Sequence, residues 1–153
     1  KNAFSKITLN QFLQPDYTIM KYIITLLFIF TTSHIQAQAN TWQLSTHILD
    51  IGKGVPATGV TVELEKLNEQ DNTWTLMDKK ETDSNGRIGE FLQKDKNNEG
   101  IYKLIFKVAD YFKRDKAETF YPFIEVVFRI QGYDHFHVPI TLSPYGYSTY
   151  RGS

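Results

Sequence analysis

The sequence predicts an all-β domain, a two-sheet antiparallel β-sandwich with one short helix. From residue 40 onward, apolar side chains recur at every second position in short runs, and this spacing is typical of strands with one buried face. Gly, Pro, Asn and Asp separate the runs, and many short strands divided by turns favour a sandwich. Only residues 109–116 have a pattern that suits a helix.

The predicted elements follow one another at short intervals. The pattern places strands at residues 41–51, 60–65, 73–79, 102–108, 124–130 and 136–142. One turn is predicted at 52–56, which contains Gly and Pro, and another at 83–87, where Asn85-Gly86 is among the strongest short turn signals. The polar segment K-D-K-N-N at 94–98 is typical of a solvated loop. The length of residues 40–153, which contain all of these elements, suits one domain with one core.

The amino-terminal residues carry a different pattern. After Met20 come a basic residue, Lys21, an apolar run at 22–30 and a small-residue cleavage motif, A-Q-A, at 37–39. This order is typical of a secretory signal, and the run is shorter than the ~20 residues that span a bilayer. A buried core strand or helix is the alternative. The signal interpretation predicts three parts: residues 1–19 as an upstream non-native segment, 20–39 as a signal peptide and 40–153 as the folded domain, periplasmic or secreted.

Composition excludes several classes of function. The chain has no Cys, which excludes disulfides and thiolate chemistry. Its 17 Lys and Arg residues balance 17 Asp and Glu residues, without a basic cluster. A nucleic-acid or anionic-membrane partner would call for such a cluster. We therefore expect no nucleic acid as a partner and no membrane once the signal is removed.

Three histidines lie in the predicted domain: His47, His135 and His137. His135 and His137 are two residues apart in a predicted strand, so their side chains point to the same face. Three explanations are compatible with this arrangement. The histidines could be structural residues, zinc ligands, or metal-free acid–base groups with the ordinary imidazole pKa of ~6.5. The residues alone do not choose among them.

Arg87 follows the Asn-Gly turn and allows two interpretations. An arginine at this position of a hairpin turn commonly faces solvent. Its planar fork of five N–H donors would equally suit a planar substrate rich in carbonyl oxygens.

Four segments of the domain form a recognisable set in this order. They are L-S-T-H-I-L-D-I-G-K-G-V-P-A-T-G-V-T-V-E-L at 44–64, T-D-S-N-G-R at 82–87, A-E-T-F-Y-P-F-I-E-V-V-F at 117–128 and H-F-H-V-P-I-T-L-S-P-Y-G-Y-S-T-Y-R-G-S at 135–153. Together they resemble the transthyretin-like 5-hydroxyisourate hydrolase family, and the last segment is the most specific. The resemblance covers essentially the whole predicted domain and implies a transthyretin-like (prealbumin-like) sandwich.

The resemblance also implies a reaction and a site. The family opens the cyclic amide of 5-hydroxyisourate by hydrolysis, a step of urate breakdown, to give 2-oxo-4-hydroxy-4-carboxy-5-ureidoimidazoline, with no metal and no cofactor. Carried onto this chain, the catalytic residues are His47, Arg87, His137 and Ser153, and the supporting residues are His135, Tyr150, Arg151 and Gly152. His47 or His137 would act as the base, and Arg87 would clamp the ring oxygens. Arg151 would either do likewise or hold the terminal segment.

The resemblance further implies a homotetramer, a dimer of dimers, with sites in the channel where the dimers meet. The family includes transthyretin, which carries thyroid hormone in the equivalent channel and lacks these histidines and the Y-R-G-S ending. A non-catalytic carrier and a structural sandwich module that shares the G-x-P-x-x-G-V pattern are the alternatives. The three histidines and the ending favour the hydrolase.

Overall fold

The computed structural model describes residues 17, 20–22 and 41–152. Contacts along the chain divide it into two units, Lys1–Ala39 and Asn40–Ser153. The upstream segment predicted at 1–19, the signal peptide at 20–39 and the role of Ser153 fall almost entirely outside the described residues, so they stay predictions. Within the described residues, no helix has the length and apolar character needed to cross a bilayer.

Residues 41–152 form two sheets and one helix. The elements are β1 (Trp42–Asp50), β2 (Val55–Pro56), β3 (Thr61–Asn68), β4 (Thr73–Glu81), β5 (Arg87–Gln93), β6 (Gly100–Phe106), α1 (Val108–Arg114), β7 (Ile124–Ile130), β8 (Phe136–Ser143) and β9 (Gly146–Thr149). The five-stranded sheet has the order β2-β1-β8-β9, with β5 also paired to β1, and the four-stranded sheet has the order β4-β3-β6-β7. The predicted all-β sandwich with one short helix is confirmed in this part of the chain.

Strand β2 lies inside the turn predicted at 52–56, and three further features differ from the sequence-based expectation. Strands β1 and β8 pair in parallel, whereas every other strand pair is antiparallel. Strand β5 was not predicted because a register shift in its pairing with β1 breaks the alternation: its buried residues Ile88 and Phe91 are three positions apart. Strand β9 was not predicted because G-Y-S-T has no apolar alternation.

The two sheets pack on one apolar core. In β1 and β8 the side chains that alternate inward include Leu44, Ile48, Val138 and Ile140, all buried. The same alternation turns the residues between them to the outer face of the five-stranded sheet. The core therefore fixes which residues of β1 and β8 face outward.

Helix α1 is tied to the end of β1 through a buried carboxylate. Val108, Tyr111 and Phe112 have the i, i+3, i+4 spacing of an apolar helix face, and all three are buried. The Tyr111 hydroxyl donates to Oδ2 of Asp50 at 2.9 Å. Oδ1 of Asp50 accepts the backbone N–H of Gly52 at 2.9 Å and of Lys53 at 3.1 Å. One carboxylate thus closes the turn after β1 and holds the helix against the sheet.

Replacement of Tyr111 by Phe should destabilise the domain. Asp50 is 1% exposed, and a buried carboxylate that loses a hydrogen-bond donor retains its desolvation cost, so we expect the free energy of unfolding to fall by about 1–3 kcal/mol. Urea denaturation measures this change. Tyr145→Phe, at a tyrosine that is 70% exposed, is the matched control. Equal stability of the two variants would contradict the prediction.

Candidate active site

The outer face of the five-stranded sheet gathers the predicted histidines. Ser45 and His47 alternate outward along β1, and His137 does so on β8. In the parallel register Ser45 lies beside His137, and His47 lies beside Pro139. His135 lies just before β8. The Ser45 hydroxyl contacts both Nε2 of His135 and Nδ1 of His137, so the two rings point to the same face. The predicted common face of the two histidines is therefore confirmed.

A tight turn places Arg87 opposite His47. Oδ1 of Asp83 accepts the backbone N–H groups of Asn85 and Arg87, each at 2.8 Å. Gly86 has a φ of +70°, and a Cβ there would lie 2.6 Å from the carbonyl oxygen of Ile48, so the turn requires glycine. The predicted Asn-Gly turn is thus confirmed. Arg87 begins β5 directly across from His47, and residues paired in this way share a face.

The guanidinium and the histidines act on one another electrostatically. Burial lowers the pKa of His47, and the Arg87 cation lowers it further, against the opposing effects of the Asn85 backbone and Asp83. Burial also lowers the pKa of His137, helped by Arg87, His135 and His47, against the opposing effect of the Ser45 backbone. Both imidazoles are therefore neutral at pH 7 and able to accept a proton.

Ser45 is a site residue that the sequence analysis missed. Its hydroxyl lies 2.8 Å from Nε2 of His135 and 2.9 Å from Nδ1 of His137. The sequence does contain the signal, because Ser45 is two residues before His47 and thus on the same strand face. No motif marks a serine of this kind, and its partners come from the other end of the chain.

The terminal segment, residues 146–152 with strand β9, runs back antiparallel along β8. The N–H of Gly152 donates to the carbonyl of His137 at 2.9 Å, which makes an isolated antiparallel bridge. A Cβ at Gly152 would lie 2.5 Å from Cδ2 of His137. The segment is therefore held against the backbone and ring of His137, and only glycine fits at this contact. Tyr150, two residues earlier, is exposed.

Arg151 lies on the other side of this segment. Its guanidinium is 5.2 Å from the ring centroid of Phe136, a side chain that faces the core. A cavity of about 250 Å³ opens beside it, lined by Val126, Val127, Phe128, Arg129, Phe136, His137, Val138, Thr149, Tyr150 and Arg151. Larger depressions, of about 510 and 400 Å³, contain none of the predicted site residues. The contact between the Arg151 guanidinium and the Phe136 ring suits Arg151 to holding the terminal segment in place.

The hydrogen bonds of the histidines bear on the zinc interpretation. Both ring nitrogens of His135 are engaged, Nδ1 with the carbonyl of Trp42 at 3.1 Å and Nε2 with Ser45. His137 has Nδ1 engaged with Ser45. In the described part of the chain, no group of three His, Asp or Glu side chains is arranged to hold a metal ion. His135 and His137 are instead joined by hydrogen bonds through Ser45.

Comparison with known proteins identifies the family. The model of the HIUase/Transthyretin family matches residues 44–152. The chain belongs to this family. The matched range contains His47, Arg87, His137 and Gly152, whereas Ser153 follows it.

Both 5-hydroxyisourate hydrolases and a transthyretin are similar to this chain. A 5-hydroxyisourate hydrolase of Salmonella dublin is 48% identical over 111 residues, which is 72% of this chain and 80% of the relative. The structure of Klebsiella pneumoniae 5-hydroxyisourate hydrolase has a TM-score of 0.61 at 36% identity, covering 74% and 94% of the two chains. Sea bream transthyretin in complex with thyroxine has a TM-score of 0.68 at 28% identity, covering 72% and 94%.

Replacement of Arg87 by Gln should raise the pKa of both His47 and His137. The Arg87 cation disfavours the imidazolium form of each ring, so its removal moves both pKa values towards ~6.5. NMR titration of the imidazole resonances measures the two values. Arg114→Gln is the matched control, since the Arg114 guanidinium donates to the carbonyl of Thr58 on the helix side. Unchanged pKa values in Arg87→Gln would contradict the electrostatic arrangement.

Proposed function

We propose that this protein is a 5-hydroxyisourate hydrolase. The observation that carries the proposal is the neutral pair His47 and His137 beside the Arg87 cation on one strand face. Membership of the HIUase/Transthyretin family and 48% identity to a 5-hydroxyisourate hydrolase support the same assignment. The reaction adds water to a ring carbonyl of 5-hydroxyisourate and breaks a cyclic amide C–N bond. The product is 2-oxo-4-hydroxy-4-carboxy-5-ureidoimidazoline.

The side chains of the site suit the needs of this reaction. Attack by water requires a positioned base, and a neutral imidazole can take the proton at pH 7. The negative charge that develops on the attacked carbonyl oxygen requires a cation or N–H donors, which the Arg87 guanidinium supplies. The second imidazole would orient the water or protonate the leaving nitrogen. The ring-opening step thus uses His47, Arg87 and His137, each in contact with the substrate.

The terminal segment would complete the site. Gly152 is held to His137, so Ser153 is the next residue along a segment that is already fixed beside the base. Its hydroxyl would orient the water or a histidine. Tyr150 and His135 would support the substrate and the base, and Arg151 would hold the segment.

The second candidate is a non-catalytic carrier, because a transthyretin in complex with thyroxine shares the fold. A carrier would bind a planar aromatic molecule and leave it unchanged. Two arrangements favour the hydrolase over the carrier. They are the hydrogen bonds that join His135 and His137 through Ser45, and the Arg87 cation, which adds to the effect of burial in lowering the pKa of His47 and His137; passive binding needs neither.

The decisive experiment follows the ultraviolet absorbance of 5-hydroxyisourate generated from urate with urate oxidase. The protein should speed the decay above the spontaneous rate, and a chelator should leave that acceleration unchanged. His137→Ala should lower kcat by about 100-fold or more, the range expected for the loss of an acid–base group. Gln70→Ala, at an exposed position in the turn between β3 and β4, should retain full activity. Decay at the blank rate with folded protein would reject the hydrolase and favour the carrier.

We also propose a homotetramer built as a dimer of dimers. Strands β7 and β9 each pair on one side only within the described residues, and unpaired edges are ready to pair with a second copy. Val127 on β7 is 57% exposed and Tyr147 on β9 is 42% exposed, which adds apolar surface along both edges. A second dimer over the outer face of the five-stranded sheet would shield the site from bulk water.

Light scattering after size exclusion tests this assembly. A molar mass of four chains at the concentrations used for the assay is the expected result. Val127→Lys, which places a charge on the β7 edge, should shift the mass towards single chains, whereas Leu76→Lys, on an exposed position of β4, should not. An active protein with the mass of one chain would contradict the tetramer.

A further inference from the structure

Three hydrogen bonds form a continuous chain behind the site. Nδ1 of His135 lies 3.1 Å from the carbonyl oxygen of Trp42. Nε2 of the same ring lies 2.8 Å from Oγ of Ser45, which in turn lies 2.9 Å from Nδ1 of His137. The chain therefore runs from a backbone carbonyl to the inner nitrogen of one of the two proposed bases.

The direction of every hydrogen bond in this chain is determined by its first member. A carbonyl oxygen can only accept, so Nδ1 of His135 carries a proton, and when this is the ring's single proton its Nε2 accepts. The Ser45 hydroxyl has one proton, which it gives to that Nε2. Oγ of Ser45 must then accept from His137, which places the His137 proton on Nδ1. The outer nitrogen of His137, Nε2, is left with a free lone pair.

The loop that supports this chain is itself fixed. The side-chain amide of Gln43 is fully buried, and its N–H₂ group donates to the carbonyl of Gly132 at 2.8 Å. The Asn98 amide donates to Oε1 of Gln43 at 2.8 Å. Gly132 lies three residues before His135, so these bonds hold the approach to β8. A fixed second layer of this kind is what a precise tautomer requires.

We propose that Ser45 is the positioning residue of the base: it holds His137 with Nε2 unprotonated and relays a proton between His137 and His135. This inference rests on the proposed hydrolysis of 5-hydroxyisourate. It selects His137, and not His47, as the group that takes the proton from water.

The relay balances over one turnover. As the water oxygen bonds to the ring carbonyl carbon, its O–H bond breaks and the proton goes to Nε2 of His137. The Nδ1 proton of His137 passes to Oγ of Ser45, and the Ser45 proton passes to Nε2 of His135, which becomes the imidazolium. When the ring C–N bond breaks, the nitrogen takes the proton from Nε2 of His137. The relay then runs back and restores the starting state.

The relay also moves positive charge away from Arg87. Arg87 lies in the row of the sheet that contains His47 and Pro139. His137 is two residues from this row along β8, and His135 is four. A proton that stayed on His137 would make a cation close to the guanidinium, whereas a proton on His135 places the charge farther along the sheet. The arrangement lowers the cost of charging the base.

Substitution of Ser45 in the full chain tests the proposal. Ser45→Ala should lower kcat for 5-hydroxyisourate by about 10- to 100-fold, the range typical of second-layer partners, with KM changed by less than about twofold because binding contacts stay in place. Ser45→Thr retains a hydroxyl and should recover most of the activity. Thr75→Ala, which removes an exposed strand hydroxyl on the other sheet, is the matched control and should match the wild type.

A spectroscopic measurement separates this role from a merely structural one. The ¹⁵N chemical shifts of the His137 ring above its pKa should show the proton on Nδ1 in the wild type and in Ser45→Thr. In Ser45→Ala they should move towards protonated Nε2. Thermal unfolding confirms that each variant is folded. Unchanged kcat in Ser45→Ala, or a His137 proton on Nε2 in the wild type, would overturn the proposal.

The same experiments distinguish failure of the inference from failure of the proposed function. Wild-type decay at the blank rate would reject the hydrolase and the relay with it, while the ¹⁵N shifts still decide whether Ser45 sets the tautomer. An active wild type with an equally active, folded Ser45→Ala would reject the role of Ser45 alone.

Discussion

The parallel pairing of β1 with β8 is the contact on which both the core and the site depend. It joins the start of the domain to its last long strand, with Leu44 beside Phe136 and Ser45 beside His137. Because alternate residues point to opposite faces, the apolar half of each strand fills the core while Ser45 and His137 meet outside. A slip of one residue would expose the core residues and bury the polar ones. The hydrophobic effect thus fixes the register that places the base beside its partner.

The charge at the site results from the same register. The turn at Gly86 packs on the carbonyl of Ile48 and delivers Arg87 beside His47, so a permanent cation lies next to two imidazoles. Such a cation stabilises a developing oxyanion and, in addition to burial, lowers the pKa of both imidazoles. A hydrolytic site needs both effects at once. The rings of His135 and His137 are oriented by the carbonyl of Trp42 and the hydroxyl of Ser45, which add no charge.

Sequence patterns predicted the parts of the structure that depend on local chemistry. The alternation in 136–142 predicted the common face of His135 and His137, and the Asn-Gly signal predicted the turn before Arg87. Ser45 was missed although it shares a strand face with His47, because its hydrogen-bond partners are two rings about 90 residues away in the chain. The position of Arg151 beside the Phe136 ring could not be predicted from the sequence either. It follows from the register of a terminal segment whose short strand, β9, has no apolar pattern to reveal it.

The terminal segment contributes through its backbone as much as through its side chains. Ordering a backbone segment costs conformational entropy, about 1–2 kcal/mol per residue, and the mostly exposed strand β9 has few apolar contacts to offset it. The compensation here is polar and local: the Thr149 hydroxyl donates to the carbonyl of Pro139, and the N–H of Gly152 donates to that of His137. A segment held in this way ends against the ring of the base. Residue 152 must then be glycine, because any side chain there would occupy the space of the His137 ring.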